Sequence, residues 1–217
     1  DSQVMDVSLA LRVIQQIGES TSAAMSMEQT LQILLEIINR AMPSDAGEIC
    51  LWQANNGAGG FLEQRGWIGD TRYLLLIAEN GGGYQVGQGL AGWVASQRQG
   101  GLIRNRSDAM RYNDVSGSPY ASALAVPLLS NNVLLGTLGL FGYAENAYND
   151  ADLAFLQSIS AAVATAIYNA SLYSNQEKRI NDISRLQELT QRGGDTDAGI
   201  IVGNLRIYQR EQLIESE

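Results

Sequence analysis

Ala121-Ser-Ala-Leu-Ala-Val-Pro-Leu-Leu-Ser-Asn-Asn-Val-Leu-Leu-Gly-Thr-Leu-Gly-Leu-Phe141 is the stretch whose reading decides the fold. Two apolar runs, Ala121 to Leu129 and Val133 to Phe141, flank Ser130-Asn131-Asn132. Asparagine tolerates the positive φ that a tight hairpin turn demands, so the stretch predicts two antiparallel strands. Pro127 fixes φ and lacks an N–H, which predicts a sheet edge or a bulge beside it. Gly136 and Gly139, inside an otherwise apolar strand, predict close approach by the terminal helix or by a ligand, or simply closer packing.

Upstream, further short apolar runs at Glu48 to Gln53, Phe61 to Ile68, Tyr73 to Ala78 and Gly101 to Arg104 are separated by Gly, Asn and Ser clusters such as Asn55-Asn-Gly57. They predict additional strands of an antiparallel meander. Ahead of them stand two helical patterns. Val7, Leu11 and Ile14 belong to a helix over about Val4 to Ile17, broken by Gly18-Glu-Ser-Thr-Ser22. Ser26 and Gln29 form a capping-box pattern, and Met27, Leu31, Leu34, Leu35, Ile38, Ala41 and Met42 recur at helical spacing until Pro43-Ser44.

Downstream of the hairpin, Asn149-Asp-Ala-Asp152 supplies an N-cap and an acidic first turn. Leu156, Ile159, Val163, Ala166, Ala170 and Tyr173 follow at three- and four-residue steps, and Ile180, Ile183, Leu186 and Leu189 extend the apolar face with a phase shift, up to Gly193-Gly194. A helix of this length exceeds what one small domain covers, so these positions, Leu156 through Ile180, are expected to pair with a second copy. The competing reading folds the helix back on its own sheet. The tail from Gly193 to Glu217 carries Ile200-Ile-Val202 and a short helical pattern at Leu205 to Ile214, and reads as a packing arm or the fringe of another domain. The division expected is therefore 1–24 an N-terminal helix, 25–173 a globular domain, 174–192 the distal part of the terminal helix and 193–217 a tail.

Composition narrows the function. With 217 residues and 45% hydrophobic content the chain can bury a proper core. Fourteen basic against 23 acidic residues leave a net charge of −9, with no basic stripe, which argues against nucleic acid and anionic lipid as partners. No apolar run approaches the roughly 20 residues needed to span a bilayer, and no signal-peptide pattern opens the sequence, so a cytoplasmic location is expected. Histidine is absent, which removes the usual general base, haem ligand and commonest metal ligand together. Cys50, the single cysteine, offers neither an internal disulfide nor a thiolate cluster, and reads as a small core residue. No haem, bilin or metal is expected.

Five further segments add specificity: Gly87-Gln-Gly-Leu-Ala-Gly-Trp-Val-Ala95, Gly101-Leu-Ile-Arg-Asn105, Ser122-Ala-Leu-Ala-Val-Pro-Leu128, Leu135-Gly-Thr-Leu-Gly-Leu140, and Asp152-Leu-Ala-Phe-Leu156 with Ala166-Ile-Tyr-Asn-Ala170. Gly87 and Gly89 allow a sharp turn before a short helix whose Trp93 and Val94 face inward. Pattern alone fits both PAS and GAF folds, but in this order the segments resemble the landmarks of the GAF family over about residues 25 to 173. The resemblance implies an α+β fold, a central antiparallel sheet of about six strands with long N- and C-terminal helices. It also implies a non-catalytic sensor that binds a small molecule between the sheet and the crossing loops and relays the signal through dimerising helices to an attached output domain. The alternative is a ligand-free dimerisation module.

On that resemblance the pocket is expected along Gly89 to Asp114 and the strand of Ser122, lined by Trp93, Arg104, Asn105, Tyr112, Asp114, Ser122 and Ala123. Arg104 and Arg106 read equally well as solvated loop charges. Asn105-Arg106 and Tyr112 resemble the start of the cyclic-nucleotide pattern of the family, yet Ser116-Gly117 stands where its Asp-Glu belongs. Bilin-binding members use a loop cysteine and histidine, which this chain lacks. Members that reduce free methionine sulfoxide need an attacking and a resolving thiol, and one cysteine does not provide both. The carboxylates Glu79, Asp108, Asp114 and Glu145 form no catalytic constellation with a nucleophile. Gly81-Gly-Gly83 is followed by no Gly-Lys-Ser/Thr and is read as a flexible connection rather than a phosphate loop.

Overall fold

The computed structural model describes residues 2–21, 25–53, 60–79, 81–112 and 118–192, with side chains described except at 2–6, 72, 177–178, 181–182 and 186–192. The expected turn at Asn55 to Gly57, Asp114 and the tail from Gly193 lie outside these residues. Residues Asp1–Tyr173 form one compact unit and Ser174–Glu217 a second.

Six strands, β1 (Ala46–Gln53), β2 (Phe61–Gly69), β3 (Gly83–Gln85), β4 (Gly101–Ile103), β5 (Ser122–Ser130) and β6 (Val133–Gly142), make one antiparallel sheet in the order β3-β2-β1-β6-β5-β4. The fold is thus α+β, as the resemblance implies. The decisive hairpin is β5–β6, where Asn131 (φ 47°) and Asn132 (φ 65°) both take the left-handed conformation of a two-residue turn matched to strand twist. Beside Pro127 the register shifts between Leu128 and Leu129, and β4 pairs β5 only at Ala123 to Ala125, so the proline stands where β5 has become an edge. Gly136 answers to a different neighbour than expected. A Cβ there would fall 1.9 Å from the carbonyl oxygen of Cys50, so the close approach is by β1 and not by a helix or ligand.

Helices α1 (Ser2–Ser20), α2 (Met27–Ala41) and the first part of α6 (Asp150–Arg192) cover one face of the sheet. Ser26 caps α2 reciprocally: its Oγ accepts from the backbone N–H of Gln29 at 3.2 Å, and its own N–H donates to Gln29 Oε1 at 3.1 Å. Asn149 does the same for α6, its Oδ1 accepting from Ala151 and Asp152 while Asp152 accepts from its N–H. Leu31, Leu34, Leu35 and Ile38 of α2 meet Ile49, Leu124, Leu138 and Leu140 of the sheet and Leu156, Ile159 and Val163 of α6 in one continuous core. All of these are wholly buried, and each contributes about 1.5–3 kcal/mol relative to exposure.

Two expectations are corrected here. Tyr73 to Ala78 is not a strand but lies in helix α3 (Arg72–Glu79): Tyr73 and Ile77, one turn apart, are both 2% exposed while Leu75 faces solvent at 67%. A leucine-rich run without alternation favours helix once one face has a cover to meet. Leu156, Ile159, Val163, Ala166 and Ala170 do not await a second copy, because they are buried within their own chain. The competing reading, a helix folded on its own sheet, holds for this part of α6, since the sheet needs a cover that α1 and α2 leave incomplete. Tyr173 is half-buried, and in the second unit Ile180 is 63% exposed. Asp150–Gln176 has the length and mean hydropathy, 1.3, of a membrane-crossing helix, contrary to the expectation that no apolar run approaches that length, and 33% of its most apolar window is buried.

The other face of the sheet is crossed by α3, α4 (Gly89–Gln97), α5 (Arg106–Ala109) and a 3-10 turn at Met110–Tyr112. Gly83, expected within a flexible connection, opens β3 opposite Glu63, while Gly81 and Gly82 supply the turn at φ 96° and 80°. Replacing Ser26 with Ala removes one side of the capping box and is expected to lower stability by about 1 kcal/mol, read as a lower urea midpoint at unchanged m-value.

Candidate ligand-binding recess

Strand alternation builds the site. Along β1, Ile49 and Leu51 enter the helix-covered core, whereas Ala46, Glu48 and Cys50 point to the opposite face. Glu48 is only 2% exposed, and it pairs across the ladder with Gly139 of β6 and Trp67 of β2. Gly139 contributes no side chain, so space remains above the carboxyl; a Cβ there would sit 3.4 Å from Glu48 Cγ. Tyr84 of β3, 3% exposed, donates its hydroxyl to Glu48 Oε2 at 3.0 Å. Burial first, and the Glu48 charge second, hold the Tyr84 hydroxyl well above the ordinary tyrosine range, so it remains a proton donor to the carboxyl.

These residues form the floor of a recess. Ser122, Ala123 and Ala125 of β5 and Phe141 of β6 complete it, and the roof comes from Tyr73 of α3, Leu90 and Ala91 of α4, Ile103 of β4, Ala109 of α5, and Ser118 and Tyr120 of the segment leading into β5. The whole hollow, open mouth included, measures about 460 Å³, but its walls stand so close that the centre of a water molecule ranges over only about 20 Å³. That is room for a group of one or two heavy atoms. Aromatic rings wall one end: Tyr73 meets Tyr120 edge-on at 5.4 Å and Phe141 at 5.7 Å, Tyr120 meets Phe141 at 5.2 Å, and Trp67 backs Tyr73 at 5.6 Å.

Of the residues expected from the sequence to line a pocket, Ser122 and Ala123 stand in the recess. Trp93 and Tyr112 do not; they pack on each other edge-on at 5.2 Å, and Tyr112 donates weakly to the Leu102 carbonyl at 3.4 Å. Arg104 reaches Asp150 at the start of α6, 2.6 Å away. Asn105 is the N-cap of α5, its side chain accepting from Ser107 and Asp108. Asp114 lies outside the described residues. Of the remaining carboxylates, Glu79 and Glu145 are exposed, and Asp108 accepts from the Arg104 backbone N–H. Sequence reasoning passed over Glu48, Tyr84 and Tyr73. The available signal was parity: Glu48 shares the face of Cys50 in an otherwise apolar run, which buries a carboxyl if both sheet faces are covered.

The sequence model of the GAF domain matches residues 24–167. The chain belongs to the GAF family. Among solved structures, this GAF domain is similar to the GAF domain of a phosphoenolpyruvate-protein phosphotransferase from Acinetobacter, with 22% identity over 77% of this chain and 95% of that one and a TM-score of 0.60. A phosphoenolpyruvate-protein phosphotransferase GAF domain from Coxiella burnetii gives 20% identity over 76% and 96%, TM-score 0.59. The free methionine-R-sulfoxide reductase from Neisseria meningitidis, solved with its substrate, gives 13% identity over 79% and 93%, TM-score 0.61. At these identities the likeness is one of fold. No curated protein matches the chain.

The GAF core also carries a set of buried acids held in their neutral forms. Burial, then the charge of Glu48, raises the Cys50 thiol well above 9.0; burial, then neighbouring groups, likewise raises Tyr120 and Tyr148 as it does Tyr84. A folded-state pKa raised above the unfolded value gives stability that is complete below the unfolded pKa and is lost as pH rises towards the folded one. Melting temperature is therefore expected to hold up to about pH 8 and to fall progressively from pH 9 to 12, with a shallower fall in Tyr148→Phe, as differential scanning fluorimetry across that range will test.

Proposed function

We propose that this GAF domain is a non-catalytic regulatory module of a cytoplasmic signalling protein, that a compact small molecule occupying the recess is its signal, and that its terminal helices carry the response to an attached output domain. The observation that carries this reading is the Glu48–Tyr84 pair on the floor of the recess. Burying a carboxyl costs stability even when it is hydrogen-bonded, and an apolar side chain at position 48 would serve folding better. A polar group kept at that cost beside a hollow, under a roof of short segments, is the pattern of a binding site.

The same geometry supports the non-catalytic half. The single thiol, on β1, is fully buried and held protonated, whereas thiol chemistry requires a reachable thiolate. Reductase assays with free methionine sulfoxide and a dithiol reductant are expected to show no turnover above buffer; a rate abolished by Cys50→Ala would reverse the assignment.

A second reading, a ligand-free dimerisation module, is favoured by the narrowness of the hollow and by the apolar residues that the terminal helices leave in solvent: Val7 and Leu11 on α1, Leu172 on the first unit's part of α6, and Ile180 and Ile183 in the second unit. A second copy is the cover proposed for the exposed isoleucines. Native mass spectrometry decides between the readings. A small non-peptide mass carried by the purified chain or taken up from a metabolite mixture supports the sensor, and a dimer that stays empty throughout supports the alternative. If α6 pairs, changing Ile180 and Ile183 together to Glu should weaken dimerisation by at least about tenfold in sedimentation analysis while leaving melting of the first unit unchanged.

A further inference from the structure

One hydroxyl is left out of the hydrogen bonding of the recess. The groups around Glu48 satisfy one another: Tyr84 donates to Glu48 Oε2 at 3.0 Å, Tyr73 is hydrogen-bonded to Tyr84, and the Cys50 thiol to Glu48. Ser118 Oγ accepts from the Tyr120 backbone N–H at 3.4 Å. Three buried side-chain atoms find no partner among the described residues, Trp67 Nε1, Thr137 Oγ1 and Tyr120 Oη, and of these residues only Tyr120 lines the hollow. Tyr120 is 6% exposed, so bulk solvent does not serve its hydroxyl. Its ring is held by contacts that need no hydroxyl: it meets Phe141 at 5.2 Å and Tyr73 edge-on at 5.4 Å, and stacks on Tyr143 at 5.0 Å. Phenylalanine would keep all three contacts and spare the cost of an orphaned donor, so the hydroxyl serves something besides packing. Burial first, then the neighbouring Tyr143, Asp70 and Asp45, hold the Tyr120 hydroxyl above the ordinary tyrosine range, so it keeps its proton and acts as a donor.

We propose that Tyr120 is the specificity-determining residue of the recess and that its hydroxyl donates to a neutral carbonyl oxygen, that of a ketone or amide ligand. A carbonyl brings lone pairs and no proton, so it satisfies the one free donor and makes no demand on Glu48, Tyr73 or Tyr84, whose bonds are already made. Carboxylate and phosphate heads also accept, but they would bring negative charge to a site that Asp45, Asp70 and Glu48 already surround. An ammonium head has donors only and leaves Tyr120 unpaired. The size agrees: the narrow part of the hollow admits one or two heavy atoms, a carbon and its oxygen, and the rest of the ligand lies in the open mouth. The position also suits a signal. Tyr143, on which Tyr120 stacks, stands between β6 and α6, and its backbone N–H donates to Asp45 Oδ2 at 2.7 Å.

This assignment rests on the recess being a ligand site, and the test separates the two claims. Melting of the dialysed full chain comes first. Tyr120→Phe is expected to raise the melting temperature by about 2 °C or more, because an unpaired buried hydroxyl is removed, whereas Tyr73→Phe breaks a bond already made and is expected to lower it. An unchanged or lower value for Tyr120→Phe, or its failure to fold, shows a hydroxyl already satisfied and overturns the assignment. The 15N-labelled chain is then titrated to high millimolar concentration with acetone and acetamide, and in parallel with sodium acetate and methylammonium chloride. Saturable shifts at amides of residues 120–123 and 141–143 are expected with acetone and acetamide, weakened at least about tenfold in Tyr120→Phe and much less in Tyr73→Phe. If both probes bind Tyr120→Phe as tightly as the natural chain, or acetate or methylammonium saturates the same amides as well or better, the recess stands as a site and the carbonyl assignment falls. If no probe moves these amides, both claims fall.

Discussion

Everything in this domain depends on the register of β1. The strand is covered on both sides, so its alternation is read twice: Ile49 and Leu51 fill the core under α1, α2 and α6, while Ala46, Glu48 and Cys50 point to the face that carries the recess, Glu48 lining it. A slip of one residue would drive a carboxyl into the apolar layer between sheet and helices and turn isoleucine towards Tyr84. The register is pinned from both neighbours, by eight paired positions with β2 and six with β6. One is Leu51 opposite Gly136, a ladder in which only glycine allows the Cys50 carbonyl so near.

The two faces are held by different physics. On the helix side the interior is almost wholly aliphatic, and its stability comes from area removed from water. On the recess side the packing is aromatic and polar, with a buried carboxyl, a buried thiol and three tyrosines in mutual reach. Buried atoms such as Tyr120 Oη and Thr137 Oγ1 find no hydrogen-bond partner among the described residues. Such groups cost stability that the aliphatic face offsets, and that division lets one side of a small domain be optimised for something other than folding.

Much of this was legible in the sequence because it follows from local chemistry. Asn131-Asn132, the Ser26–Gln29 box, Asn149 with Asp152 and Gly87 before α4 each satisfy a constraint that the chain states within four residues. Where sequence reasoning failed, the deciding fact was tertiary. Tyr73 to Ala78 has no alternation, and the cover awaiting Tyr73 and Ile77 makes it α3. The periodicity of Leu156 to Ala170 marks an apolar helical face, yet periodicity does not say whose surface a stripe meets. Arg104 and Asn105 were drawn to the site by their position in a loop, but one guards a helix start and the other caps a helix. Glu48 escaped notice because charge is sought in loops, and a carboxyl within a strand becomes significant only once both faces of the sheet are known to be covered.

The position of Arg104 bears on how an occupied recess would be felt elsewhere. It follows β4 directly and engages both the turn before α6 and the helix start: its carbonyl accepts from Asn146 N–H at 2.6 Å, and its guanidinium meets Asp150 at 2.6 Å. The ion pair is solvent-exposed on both sides and so contributes little by itself, but the backbone bond is geometric and fixes β4 against the turn from which α6 begins. Ser122 makes the second link, donating to the Ala144 carbonyl from the first residue of β5. Under the proposed function, a molecule that reordered the roof would act on the first turn of α6 without passing through the aliphatic core, and only by the difference in its affinity for two arrangements of these few bonds.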